Sequence, residues 1–227
     1  MKGYSDRSFI EERTGIVRRI YSYNGRPARR VELSGRVVDQ LRGYVLIEKD
    51  LRNVAEWLKQ LGIDPAEGEA SGGRNPKRIW RRNPDRTEGL RGKGLFVAAL
   101  TVYAKGFTKC EGRPVKMEKQ QLDSRFHSLH DECMRYRHNF AAHSGAERIE
   151  DARIALVIPK KAKRTVQPML YVELGQPDVV PPYVDGLSMA DLCAQAHSVV
   201  QRKIALLMEK VNEEVAGKGW DYWNQKK

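Results

Sequence analysis

The chain has 227 residues, 41 Lys and Arg against 29 Asp and Glu, and a formal net charge of +12. That length suits one domain with an extension or two small domains, and the charge favours an anionic partner, nucleic acid ahead of an anionic membrane, because no basic amphipathic helix stands out. Three well-separated cysteines without a CxxC argue against a disulfide framework; the opening MKGYSDRSFIEERTG is too polar for a secretory signal, and the longest apolar run, near Leu95 to Val102, is too short for a bilayer, so a cytoplasmic protein with no membrane partner is expected.

Residues 16 to 33 predict a small β-hairpin. Ile16 to Tyr23 is rich in β-formers and Asn24-Gly25 is a favoured tight turn, although Pro27 weakens the second strand. A long helix is expected over Val37 to Leu61. Val38, Leu41, Val45, Leu51, Val54, Leu58 and Leu61 recur mostly at three- and four-residue steps. Ser34 is a candidate N-cap, Gly62 a candidate C′ residue with Ile63 set to touch Leu58, and Gly43 a local weakness. Residues 62 to 93, dense in Gly, Pro and Asn, read as a linker. Between Arg74 and Lys93 there are eight basic and two acidic residues, with Trp80 among them. Arg78, Arg81 and Arg82 are candidate contacts to RNA phosphates and Trp80 a candidate base-stacking ring; the plainer reading is a solvated basic loop. GLRGKG at 89 to 94 lacks both the spacing and the ending of a phosphate loop.

Gly94 to Phe107, apolar nearly all round, predicts a buried helix. The next helix is expected over Lys116 to Ser144. Its seam of Leu122, Phe126, Leu129, Cys133, Tyr136, Phe140 and His143 faces a core. A neighbouring line of Asp123, His127, His130, Met134, Arg137, Ala141 and Ser144 is mixed and polar, as for a cleft or interface. Ile154 to Ile158 and Met169 to Leu174 suggest a second hairpin around a basic turn. The last helix starts near Ser188, with a capping box from Ser188 and Asp191 and a staple from Leu187 and Leu192. Gly217 and Gly219 are expected to end it before a Trp220–Trp223 tail.

Four of the five histidines, His127, His130, His138 and His143, crowd the 116 to 144 segment. Its end reads Arg137-His138-Asn139-Phe140-Ala141-Ala142-His143. Arg is a permanent cation whose planar fork fits a phosphate, and His exchanges a proton near neutral pH. Six helical residues leave Arg137 and His143 about 120° apart, so both reach one phosphate only if the last turn loosens or a symmetric partner helps. The bland alternatives are Arg137 paired with Glu132, Asp131 or another surface carboxylate, and His143 as a core or cap histidine. Asp123, His127 and His130 stand at i, i+4 and i+7, a spacing that can ligate zinc or iron. No HExxH and no partner helix support it, so no metal and no cofactor are expected.

The run MRYRHNFAAHSG resembles the signature of the HEPN superfamily, whose mark is an Arg and a His separated by four to six residues with a polar residue after the Arg. The resemblance covers about residues 93 to 215. It implies an all-α fold, an antiparallel helical bundle, here with small β-hairpin insertions. The division would be 1–92, an extension with hairpin, long helix and basic linker, and 93–227, a HEPN-like domain that helix 37–61 is able to join. It implies a metal-independent endoribonuclease of defensive, abortive-infection or toxin type. Arg137 would hold the scissile phosphate, His143 would act as acid or base, and His138 would fill the polar position, with Asn139, Ser144 and His130 in support. The RNA 2′-hydroxyl would attack the adjacent phosphate. A homodimer around the 116 to 144 helix and an antitoxin or other regulatory protein are the implied partners. The rival expectation is a non-catalytic module of the same family that binds RNA or protein.

Overall fold

The structure is a computed structural model that describes residues 3–65, 86–142, 151–159, 167–175 and 181–226. The basic stretch with Arg78, Trp80, Arg81 and Arg82, and the residues His143 and Ser144, lie outside these. The expected all-α class is overturned. The chain is mixed α/β, 58% helical and 19% strand, with three small sheets and four α-helices among the described residues. It forms two compact units, residues 1–39 with 208–227, and residues 40–207. A boundary at 92/93 falls inside a helix.

In the first unit, β1 (Tyr4–Ile10), β2 (Val17–Tyr23) and β3 (Arg26–Ala28) form an antiparallel sheet in that order. The Asn24-Gly25 turn adopts φ 48° and 75°, positive at both central residues, and so matches the twist of its flanking strands. Strand β1 was not expected. Its sequence, Tyr-Ser-Asp-Arg-Ser-Phe-Ile, has no polar–apolar alternation, in keeping with two faces that both stay exposed. Arg29 donates to the Trp223 carbonyl, and the Trp223 indole N–H donates to the Val215 carbonyl at 2.8 Å. The tail therefore folds back on its own helix.

In the second unit, the stripe Ile47, Leu51, Val54 and Leu58 of α1 (Arg36–Gln60) is at most 1% exposed. The seam runs through Ile47, four residues before Leu51; Val45 is off that face and exposed. Gly35 takes the N-cap position in place of Ser34, its carbonyl accepting from Asp39 N–H at 2.9 Å. At the other end the Ile63 N–H reaches the Leu58 carbonyl and the Gly62 N–H the Lys59 carbonyl, both at 2.9 Å, with Gly62 at φ 70°, a Schellman ending.

Helix α2 (Arg86–Phe107) starts eight residues before the expected Gly94. GLRGKG is therefore helical and no phosphate loop. Phe96, Ala99, Leu100 and Tyr103 of α2 join the α1 stripe in one core, which Leu129, Cys133, Met189, Leu192, Ala196 and Val200 complete. The expected continuous helix over 116–144 is broken. Two 3-10 turns (Lys119–Gln121 and Ser124–Phe126) precede α3 (His127–Tyr136), and a π-helical segment (Arg137–Ala142) follows it. The break is local chemistry: the Asp123 carboxylate accepts the Arg125 N–H at 3.1 Å, which starts the second turn afresh.

Strands β4 (Asp151–Val157) and β5 (Met169–Gly175) pair as a hairpin. Ile154, Leu156, Leu170 and Val172 share one of its faces and are all more than half exposed. A two-residue pair, β6 (Tyr183–Val184) and β7 (Leu187–Ser188), leads into α4 (Met189–Gln225). Here the capping box is present. Asp191 accepts from the Ser188 N–H at 2.8 Å, and Ser188 Oγ accepts from the Asp191 N–H at 3.2 Å. Gly217 does not stop α4; the break comes at Gly219, φ 71° and ψ 167°, after which the tail resumes a helical turn. No described helix is long and apolar enough to cross a membrane.

Gly43 is a packing requirement. A Cβ there would lie 2.5 Å from Val115 Cγ2, and a β-branched side chain has little room to turn away. Gly43→Ala is therefore expected to lower stability in urea unfolding. In a Val115→Ala background the same change should raise it by about 1 kcal/mol, the helix propensity of Ala over Gly. An equal effect in both backgrounds would show that Val115 does not set the constraint.

Candidate functional site

The site is built where α3 ends. Leu122, Phe126, Leu129 and Cys133 are buried, which fixes the rotation of the helix about its axis. The Arg137 N–H then donates to both the Cys133 and Met134 carbonyls, and beyond it the backbone widens into the π-helical segment. Such widened turns concentrate at functional sites. The loosening that the Arg137-to-His143 spacing calls for is thus present over Arg137–Ala142.

Arg137 is half-buried, and its Nε, fully removed from solvent, has no hydrogen-bond partner among the described residues. The carboxylates that offered the bland explanation are engaged elsewhere. Glu132 is held by Arg135, at 2.8 Å to Nε and 2.5 Å to a terminal nitrogen. That hydrogen bond is the main reason its carboxyl stays below the usual range, against the opposing effect of burial. Asp131 is held by Lys119 at 2.5 Å. Arg113 also has an orphaned Nε, but its other nitrogens bind Asp50 and the Lys105 carbonyl, so its role is structural. His138 is exposed and Asn139 half-buried, both on the widened segment.

His130 is placed differently from the mixed polar line on which its spacing put it. It is 6% exposed. Its Nδ1 lies 2.9 Å from Tyr103 Oη, and its ring centroid is 4.5 Å from that of Phe107. Burial lowers its pKa to about 4; Asp131 opposes this, and Lys119 and His127 add to it. It is therefore neutral at pH 7 and acts as a hydrogen-bonded core residue. His127 Nε2 points to the Leu122 carbonyl at 3.3 Å, and Asp123 caps its own turn. The three residues with metal-like spacing are thus engaged locally, and no group of three or more His, Cys, Asp or Glu that could hold a metal ion occurs among the described residues. Cys133 lies in the core, where burial pushes its thiol well above the ordinary range.

A second feature was not anticipated. A groove of 560 Å³ is lined by residues of α1 and α4, including Leu51, Arg52, Glu56, Ala190, Cys193 and His197. At its rim Glu48 binds His197 at 3.0 Å and Arg52 at 2.8 Å. Burial pushes the Glu48 carboxyl up, but the bonds from His197 and Arg52 outweigh it and hold it below the usual value. Cys193 supplies no nucleophile, since burial pushes its thiol up to about 12 and its Sγ donates to the Leu51 carbonyl. The sequence signal was His197, the one histidine outside the 116 to 144 segment. No protein-family model matches the chain, and no curated protein or solved structure matches it.

The His130 environment sets a pH dependence. With a folded pKa of about 4 against an ordinary value of 6.5, the unfolded chain binds the extra proton between those limits. Stability is whole above pH 6.5 and falls as pH drops toward 4, by up to about 3 kcal/mol for a shift of this size. Urea unfolding at steps from pH 7.5 to pH 4.5 should show this decline in wild type and a flatter profile in His130→Leu. Parallel profiles would place the titration elsewhere.

Proposed function

We propose that the chain is a metal-independent endoribonuclease of HEPN type acting in the cytoplasm, in a defensive or toxin-like role, with Arg137 as phosphate ligand and His143 as proton donor or acceptor. One observation carries the reading. Arg137 keeps a buried, unpartnered Nε at the head of a widened helical turn, inside the Arg-His-Asn-Phe-Ala-Ala-His run that resembles the family signature. A buried guanidinium nitrogen without an acceptor costs about 1–3 kcal/mol or more. A phosphate oxygen would satisfy it once the widened turn opens enough to admit one, and the guanidinium fork then offers a phosphate two parallel donors, one to each of two oxygens. Arg137 would stabilise the charge that develops on the phosphoryl oxygens as the 2′-hydroxyl attacks and gives its proton to water, and His143 would protonate the 5′-oxygen as its bond to phosphorus breaks. His138, Asn139 and Ser144 would orient these two. The basic residues Arg78, Arg81 and Arg82, with Trp80, would hold the RNA strand, and a homodimer would supply two such sites. A regulatory protein of antitoxin type is the natural silencer of such an activity.

The test is cleavage of pooled total RNA in EDTA by wild type, Arg137→Ala, Arg137→Lys and His143→Ala, each checked for folding. Wild type should leave cyclic phosphate and 5′-hydroxyl ends. Arg137→Ala should lose about 10²–10³-fold, the scale of removing one transition-state hydrogen-bond donor, and His143→Ala about 10²–10⁴-fold, the scale of general acid–base catalysis. Binding of RNA by all four proteins without cutting by any would assign the motif to recognition and sink the nuclease reading.

A further inference from the structure

From the placement of Tyr4, Tyr23 and Arg26 in one row across the N-terminal sheet, we infer that this sheet is a second RNA-binding surface, one that stacks the bases of single-stranded RNA and holds its phosphates. The inference takes its RNA ligand from the ribonuclease reading but uses none of that site's residues.

The row follows from register. Tyr4 pairs with Tyr23 across β1 and β2, and Tyr23 pairs with Arg26 across β2 and β3. Residues directly opposite each other point to the same face, so two rings and a guanidinium lie side by side on three adjacent strands. Tyr4 is 62% exposed and Tyr23 47%, so about half of each ring faces water. They are also held in place. Their centroids are 4.6 Å apart at 47°, and Gly3, at φ 96°, passes so close that a Cβ there would come within 2.8 Å of the Tyr23 ring. Rings already ordered lose little freedom when a base stacks on them.

Charge selects the partner. Between Tyr4 and Arg30 the chain carries seven arginines, no lysine and three carboxylates. Two of these carboxylates are engaged: Glu11 is held by Arg18 and Asp6 lies 3.7 Å from Arg19. Arg26, in the row itself, is exposed and its side chain has no ion-pair or hydrogen-bond partner among the described residues. The same holds for Arg13 in the connection between β1 and β2, while Arg7 lies on the opposite face of β1. Two aromatic rings beside a free guanidinium, on a unit rich in arginine, are the composition that takes a single strand, by base stacking and phosphate contact. A duplex keeps its bases stacked on one another and offers the rings nothing. An acidic peptide would satisfy the arginines but not the two flat rings.

The probe is a fluorescently labelled single-stranded RNA of about 12 nucleotides, within the range one stacking surface covers. It carries 2′-O-methyl groups so that no 2′-hydroxyl attack is possible, and is offered to the full chain alone or annealed to its complement. Tyr4→Ala with Tyr23→Ala should weaken single-strand binding about tenfold or more, the scale of lost base stacking. Tyr4→Phe with Tyr23→Phe should retain it, and duplex binding should change little in either. Arg26→Gln should lower the slope of log affinity against log salt by about 0.7, one phosphate contact to a single strand. Should the alanine pair unfold, photo-crosslinking of 4-thiouridine RNA to wild type replaces it, with the adduct expected on the peptide holding Tyr4 or Tyr23. Unchanged binding by a folded alanine pair, adducts confined to other peptides, or loss of self-association with RNA binding intact would each overturn the inference. Tyrosine-dependent binding without Arg137-dependent cleavage would uphold it and remove the nuclease reading alone. Cleavage with no tyrosine dependence of binding would do the reverse.

Discussion

A single guanidinium ties the larger unit together. Arg113, 6% exposed, reaches Asp50 on α1 at 3.5 Å and the Lys105 carbonyl on α2 at 2.6 Å. Asp50 also takes Lys105 at 3.1 Å. One side chain from the segment after α2 therefore binds both α1 and α2. That segment then runs into the 3-10 turns and α3, so its anchoring determines where the Arg137 turn is presented. Removing Asp50 would strand the buried Arg113 charge, at a cost of about 3–5 kcal/mol, whereas loss of Arg113 leaves Asp50 still paired with Lys105. Its counterpart at the same crossing is steric: Gly43 gives Val115 its place against α1.

Arg113 and Arg137 make an instructive pair. Both have an orphaned buried Nε. Arg113 spends its other nitrogens on protein acceptors, and its role ends there. Arg137 is passed over by both neighbouring carboxylates, which Arg135 and Lys119 already occupy. The local ion pairs thus leave one cation in the motif without a protein partner among the described residues, in a turn whose backbone has already given up regular helical geometry. His130 shows the opposite outcome. The same histidine-rich stretch gives it to the core, where Tyr103 satisfies its ring and burial keeps it uncharged.

What could be read from the sequence was what local chemistry decides. α1 was legible to within a residue at either end, because Gly62 and Ile63 spell its ending. The Ser188–Asp191 box spelled the start of α4, and Asn24-Gly25 spelled the turn between β2 and β3. The Asp185-Gly186 dipeptide carried the same signal for β6 and β7 and was passed over; both residues adopt positive φ. What tertiary packing decides was not legible. The start of α2 is glycine-rich and reads as a loop, yet the helix runs through it. Strand β1 carries too many charges to look like a strand until β2 is beside it. Helical spacing placed His130 on a cleft, since a periodic pattern cannot say that a tyrosine from another helix waits opposite. Arg137 was found by its motif, and its lack of a partner could be known only once the positions of Arg135 and Lys119 were. The all-α expectation failed for the same reason, because three short sheets contribute little to a helical pattern.

The β4–β5 hairpin bears on how this chain behaves in a crowded solution. Among the described residues its two strands leave two open edges, and Ile154, Leu156, Leu170 and Val172 make one of its faces oily. Such a surface invites copies to add onto one another. The charge of +12 opposes this by keeping copies apart over a distance set by salt. Colloidal behaviour and nucleic-acid affinity then share a control. Raising ionic strength loosens any RNA contact and, in the same step, lifts the repulsion that keeps the hairpins from meeting.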